Sequence, residues 1–298
     1  MGVFNHHISG TVSLACSEYE LPSIIADIAT DLSNEMWNRE RHVGGPGDGR
    51  TVNKVTYKAP DYMPSSAQDY NPGERGDREH IWQATLGPDA VVFVNHPACM
   101  SEDNAHRPGF WLGNRVLPRV AQWRDALIAV HKLPDDDWMG FTHAYFPTGA
   151  FDEYSIWDGA DGRSWAFARK GDGYLALTAA QGLALVKHGP SAYRELRSYG
   201  QHNVWLCHVG RAGTDGNFAQ FQKKMLAMDI KWQKLGTRCT TLRGESMSFG
   251  WDEPLTVNAE EQPIAGFKHY ENPYGVADVD ASQMEIRFGD YMLRLNFE

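Results

Sequence analysis

Two hydrophobic periods divide the chain. From His80 onward apolar residues recur every second position, in HIWQATL, AVVFVN, RVAQW, ALIAVH, GFTHAYF, SWAFAR, GYLALT and VWLCHV, each bounded by Gly, Pro or Asp. TTLR, SMSFGW, MEIRF and YMLRLNF continue the pattern. Alternation sends successive side chains to opposite faces, and β-branched and aromatic residues suit a pleated, half-buried surface. A dozen or more such strands predict a mainly β chain, a large antiparallel β-sandwich of supersandwich type. Ahead of His80 the spacing is helical: Ile25, Ile28, Ala29, Leu32 and Met36 fall on one face, and Pro22 suits a first turn, so a helix is predicted over about residues 22–39. The run HVGGPGDGR then breaks any regular element, and the Pro-, Ser-, Asp- and Gly-rich stretch after Lys58 reads as a long irregular loop. The expected organisation is a helical segment at 1–57, a loop or linker at 58–79, and the sandwich at 80–298. One helix interrupts the strands, where TDGNFAQFQKKMLAMD sets Phe218, Phe221, Met225 and Leu226 on one face behind a Thr214 cap.

Composition narrows the function classes. Of 298 residues 42% are hydrophobic, enough for a sizeable core, and ten Trp, 13 Phe and 12 Tyr supply strand formers and platforms for sugar rings. A formal net charge of -10 argues against nucleic acid as a partner, because phosphate binding needs a basic surface. Cys16, Cys99, Cys207 and Cys239 lie far apart without a C-x-x-C spacing, which disfavours a disulfide framework or a zinc knuckle, and Cys207 reads as a buried thiol. No apolar run reaches the roughly 20 residues that span a bilayer, and the first residues lack the pattern of a signal peptide. Taken as written, the chain is expected in the cytoplasm, away from membranes.

Four places concentrate chemistry. Asn5 and His6 precede the small, apolar run ISGTVSLACS, which looks more like a buried element than a tail. Tyr57, Tyr62 and Tyr70 flank or occupy the irregular loop, where a phenol close to positive charge can exchange a proton. His96 follows an apolar strand that a proline stops, and His106, Arg107, Trp111 and Asn114 come within 18 residues of it. Polar groups and an aromatic gathered on one loop beside a strand end are a common way to build a binding site. His143 and Tyr145 share a strand face, with Asp152 and Glu153 close behind. His143 with Asp152 would give a metal two ligands, which do not make a site, and neighbouring Asp152 and Glu153 point to opposite strand faces, unlike a glycosidase pair. No cofactor motif occurs, and neither a cofactor nor a metal is expected.

The helical sequence, the Tyr-bearing loop and the aromatic-rich sandwich together resemble the heparinase II/III-like polysaccharide lyases. The phrases HIWQATLGPDAVVFVNHP, GFTHAYFPTGAFDEY, WAFARKGDGYLAL and GFKHYENPY carry the similarity over most of the chain. The resemblance implies an α/α toroid packed on the sandwich and cleavage of a uronic-acid polysaccharide by β-elimination. One helix cannot form a toroid, so the chain would be the C-terminal portion of such an enzyme, with a wall of the site supplied from elsewhere, including by a homo-oligomer. By the same resemblance Asn5 and His6 would neutralise the substrate carboxylate, Tyr62 would act as base and acid, and His96 or His143 would assist. Arg107, Trp111, Asn114, His143 and Tyr145 would bind sugar. Two other classes fit the same composition: a non-catalytic carbohydrate-binding sandwich, and a glycoside hydrolase using Asp and Glu. A His-rich metal enzyme is a further alternative, which bound metal would reveal.

Overall fold

The computed structural model describes residues 18, 20–33, 35–44, 51–102, 106–159 and 162–297. Asn5 and His6 lie outside these residues. Strands account for 47% and helices for 9%, so the chain is mainly β, as its period-two pattern predicts. The described strands form three antiparallel sheets of twelve, six and five strands.

The long sheet opens with a meander of five consecutive strands, Met36–Val43, Thr51–Lys58, Met63–Gln68, Trp82–Thr85 and Val91–Asn95. It continues on one side through Phe141–Tyr145 and Glu195–Tyr199, and on the other through Tyr270–Asn272 to the hairpin Gln283–Phe288 with Tyr291–Asn296. Met36–Val43 thus pairs both with its sequence neighbour and with the late strand, Arg39 opposite Glu271. The six-stranded sheet runs Arg119–Trp123, Ala126–Lys132, His202–Arg211, Gly173–Ala179, Ser164–Lys170, Glu153–Asp158. It is the middle layer. One of its faces packs Leu127, Ala129, Leu175, Leu177, Trp205 and Cys207 against Tyr62, Trp82, Val92 and Phe146 of the long-sheet side. The other packs Ile128, Val130, Phe167 and Leu206 against Met247 and Phe249 of the five-stranded sheet and Phe221 of a helix. A sheet covered on both faces has no polar side, which is why Gly173–Ala179 is buried throughout while Thr51–Lys58 alternates.

The structure corrects three local expectations. The first helix is only Ser23–Thr30, and Met36–Val43 is a strand. The chain turns at Asp31, whose carboxylate accepts from Ser33 N at 2.8 Å, and the charged strand MWNRERHV is fixed across the sheet, where Glu40 stands opposite Lys54 and pairs with it. The expected loop at 58–79 contains the strand Met63–Gln68, and with the strands at 36–43 and 51–58 it belongs to the long sheet. That strand turns Ser66 and Gln68 inward, where Gln68 Nε2 donates to Ser66 Oγ and Ser66 Oγ donates to Gln122 Oε1, both at 2.6 Å. The helix Phe218–Leu226 buries Phe218, Phe221 and Met225 as expected, but its cap is Asn217, in a reciprocal box with Gln220, and not Thr214. In the hairpin before Tyr174, Gly171 adopts φ +56°, whereas Gly173 is required by close approach, since a Cβ there would stand 2.2 Å from the Asp61 carbonyl.

Candidate functional site

The loop after Val91–Asn95 is folded back and latched by two asparagines. Asn95 Nδ2 donates to Phe110 O at 3.1 Å and to Gly113 O at 3.0 Å, while Asn114 Oδ1 accepts from His96 N at 2.8 Å and its Nδ2 donates to Glu79 O at 3.0 Å. The latch presses Trp111 flat onto His143, with ring centroids 4.1 Å apart and planes 3° from parallel, and against the edge of Tyr145 at 5.4 Å. His143 is fully buried between two acceptors, Nδ1 at 3.0 Å from Glu195 Oε1 and Nε2 at 2.9 Å from Phe110 O. Burial lowers its pKa against the pull of both acceptors. Burial alone would raise Glu195, but hydrogen bonds from His143 and Arg197 hold it below the usual carboxylate range. The sequence-predicted His96, Trp111, Asn114, His143 and Tyr145 therefore do come together. They form an internal scaffold: Asn114 is a latch and His143 is sealed beneath Trp111.

Beside this scaffold, His96 Nε2 lies 3.0 Å from Asp137 Oδ1, both side chains buried. Asp137 also accepts from Arg115 Nη1 at 2.9 Å and from Gly140 N at 2.7 Å. Burial, against the Asp137 charge, brings the His96 pKa down to about 4. His131 lies within electrostatic reach of His96 and His143, and neither of its ring nitrogens meets a hydrogen-bonding group among the described residues.

Arg115 leads outward to an open cleft of about 280 Å³, lined by Arg75, Ala98, Cys99, His106, Arg107, Pro108, Arg115 and Trp138. Among the described residues the lining carries three guanidinium groups and no carboxylate, although Asp77 partners Arg75 at 3.2 Å, and Asp137 and Asp136 lie 2.9 and 3.9 Å from Arg115. Arg75 also donates to the Arg107 carbonyl, fixing one arginine segment against the other. Trp138 is 60% exposed at this cleft, an orientation that a purely structural tryptophan does not need.

No family model, curated protein or solved structure matches this chain.

Tyr62 stands apart from this site. It immediately precedes Met63, which pairs with Thr85, which pairs with Val91, and His96 lies five residues farther along that strand. At about 3.3 Å per residue Tyr62 and His96 are six residues, some 20 Å, apart along the sheet, before counting the strand Trp82–Thr85 between them. Tyr62 packs in the core beside Tyr57, with ring centroids 6.3 Å apart, and burial raises its pKa well above the ordinary phenol value. Around this pair Arg243 Nη2 donates to Tyr57 Oη at 2.7 Å and meets Glu35 Oε2 at 3.0 Å, while Arg243 Nε donates to Asp125 Oδ2 at 3.0 Å. The structure does not gather Tyr62 and His96 into one constellation.

Asp152 lies away from His143, in an exposed hairpin, where Gly171 N donates to it at 2.7 Å and Lys170 Nζ at 3.1 Å. Among the described residues no group of three or more His, Cys, Asp or Glu is disposed to hold a metal ion, and no helix is long and apolar enough to cross a membrane. Sequence reading passed over Arg75, Arg115, Asp137 and Trp138. The signal for the last is PDDDWMG, where a large aromatic follows three aspartates in a turn.

Proposed function

We propose that this chain recognises an acidic polysaccharide and holds the carboxylates of uronate residues in the arginine cleft. The observation that carries the reading is the cleft's lining, three arginines and an exposed tryptophan on a chain of net charge -10. A guanidinium matches a carboxylate as a planar, two-pronged donor, and an indole face stacks on the apolar face of a pyranose. The test is binding of uronate polymers by titration calorimetry. Arg107→Ala and Trp138→Ala should each weaken binding about tenfold, as removal of a central anchor does. Wild-type affinity in both variants, or no affinity for any uronate polymer, would overturn the reading.

Cleavage of the same polymers by β-elimination, which the resemblance to heparinase II/III-like lyases implies, is the second reading. It would use Tyr62, which lies beside Tyr57 in the core, where burial and the Asp125 charge raise the phenol pKa and the Arg243 cation offsets only part of the rise. In this reading Asn5 and His6 neutralise the substrate carboxylate and Tyr62 transfers the proton. The ultraviolet absorbance of an unsaturated uronate separates the two readings. Binding without that absorbance leaves recognition alone, and a Tyr62→Phe variant as active as wild type removes Tyr62 from any chemistry.

A further inference from the structure

The long sheet ends differently on its two sides. One side stops at the two-residue strand Ala184–Leu185, and the five-stranded sheet stops at the equally short, acidic Glu260–Glu261. The other side of the long sheet is Tyr291–Asn296, six residues in unbroken register with Gln283–Phe288 and, among the described residues, with no strand on its outer side. Natural edges are usually shortened, bulged, or guarded by proline or charge. This one has no proline, and its one charged side chain, Arg294, is held within the hairpin by Glu285, Nε lying 3.2 Å from Oε1. It is also apolar: Tyr291, Met292 and the adjoining Phe297 are 68%, 52% and 46% exposed.

Backbone alternation tells which groups are free to pair. Gly289 and Asp290 form a two-residue turn, so Phe288 and Tyr291 are its hydrogen-bonded closing pair. Ile286 with Leu293 and Met284 with Leu295 then bond within the hairpin as well. Met292, Arg294 and Asn296 turn their N–H and C=O groups outward, where a further strand would bond.

The side chains decide which strand fits. Tyr291, Leu293 and Leu295 share one face with Met284, Ile286 and Phe288 across the hairpin, and Met292 and Arg294 share the other. Laid antiparallel on itself with Leu293 on a two-fold axis, the strand sets Leu293 opposite Leu293, Tyr291 opposite Leu295, and Met292 opposite Arg294. Asp290 of each copy then comes diagonal to Arg294 of the other, so apolar meets apolar on one face and acid meets base on the other. Moving the axis to Arg294 would stand two guanidinium groups directly opposite each other, which is unfavourable.

We propose that Tyr291–Asn296 pairs with the same strand of a second copy of this chain, joining two long sheets into one across a two-fold axis centred on Leu293. An isologous contact needs a patch that complements itself, and this strand is one. A single short strand from each copy buries little area, so the dissociation constant is expected to be on the order of 10 μM.

Sedimentation velocity from about 1 to about 300 μM tests the pairing, with the wild type passing from monomer to dimer across that range. Met292→Lys, which would face Arg294 of the other copy twice over, should weaken association about tenfold, whereas Met292→Glu should associate at least as tightly as the wild type. Independently, two Leu293 residues on the axis form a non-hydrogen-bonded pair with Cα atoms about 4.5 Å apart, within disulfide reach. Leu293→Cys should therefore give a disulfide-linked dimer under mild oxidation, with the wild-type chain and its own cysteines as the control. Circular dichroism establishes that each variant is folded. A wild type that stays monomeric at every concentration, equal weakening by Met292→Lys and Met292→Glu, or no more cross-linked dimer from Leu293→Cys than from the wild type overturns the proposal.

Discussion

The middle-sheet strand Ala126–Lys132 has a polar, buried group at each end, and the two ends follow opposite rules. At the Asp125 end charge meets countercharge. Arg243, on a turn of the five-stranded sheet, reaches Asp125 of the middle layer and Glu35 ahead of the long sheet, while Arg211 lies 3.5 Å from Asp61. One guanidinium therefore fastens three layers. At the His131 end the polar groups are neutral, and His131, Ser198 Oγ and Asn203 Oδ1 meet no hydrogen-bonding partner among the described residues. The first arrangement is what stability asks of buried charge. The second lies behind the arginine cleft, joined to it through His96, Asp137 and Arg115.

The largest effect should come from pH, to which the buried His208, paired across from Ala126 at the Asp125 end, contributes along with the histidines of the other end. Burial depresses His131 and His208 to about 3 and His96 to about 4, from an ordinary 6.5. Each is neutral when folded and protonated when unfolded below pH 6.5, so their contribution is complete above that pH and is lost as pH falls toward the folded values. Asp125, which burial pushes up to about 6 against the Arg243 charge, works in the reverse sense, because the folded state holds its proton more tightly. These three histidines less one carboxylate leave at least two protons taken up on unfolding near pH 5, and His143, which burial also depresses, adds in the same sense. Unfolding free energy should therefore fall by about 3 kcal/mol per pH unit between pH 6 and 4, as read by urea denaturation across that range. A flat profile would mean that the histidines are not held neutral.

Next in size is Arg243→Leu, which leaves the Asp125 carboxylate buried without its guanidinium. The expected loss is about 3 kcal/mol at pH 7, toward the lower end for a buried pair because the Arg243 side chain is 32% exposed. A loss below about 0.5 kcal/mol would reduce the clasp to an ordinary surface pair. The smallest effect belongs to His131→Leu. Removing a neutral ring that meets no hydrogen-bonding partner among the described residues forfeits no hydrogen bond there, so stability at pH 7 should shift by no more than about 1 kcal/mol in either direction. The same variant should flatten the acid slope by about one proton, and an unchanged slope would show that His131 is not among the groups that titrate.

The contrast also marks what could be read from the chain. The middle sheet was legible because double burial writes unbroken apolar runs such as GYLAL and VWLC. The strand Met63–Gln68 was not, since its inward side chains are Ser66 and Gln68, satisfied by Gln122, which lies 54 residues beyond Gln68. Met36–Val43 was hidden for a related reason: its apolar spacing fits a helix, and its strand partners are set by the sheet. His96, Trp111, Asn114, His143 and Tyr145 were found together because one loop and the strand beside it carry them. Tyr62 and His96 could not be separated without the strand register. Arg243 and Asp125, 118 residues apart, leave no local trace at all.

The pairing of Met36–Val43 with Tyr270–Asn272 bears on how the chain reaches its fold. The first five strands can zip together as they emerge, each on its predecessor, but the outer edge of Met36–Val43 has no partner until residues 270–272 have been made. Asn53 likewise waits for the Phe267 amide, 214 residues later. Closure of such distant contacts is slow, and an unpaired strand edge invites pairing with another chain in the interval. The polar sequence MWNRERHV, with charged or polar groups at most positions, is what such a waiting edge needs to stay unpaired until its own late strand arrives.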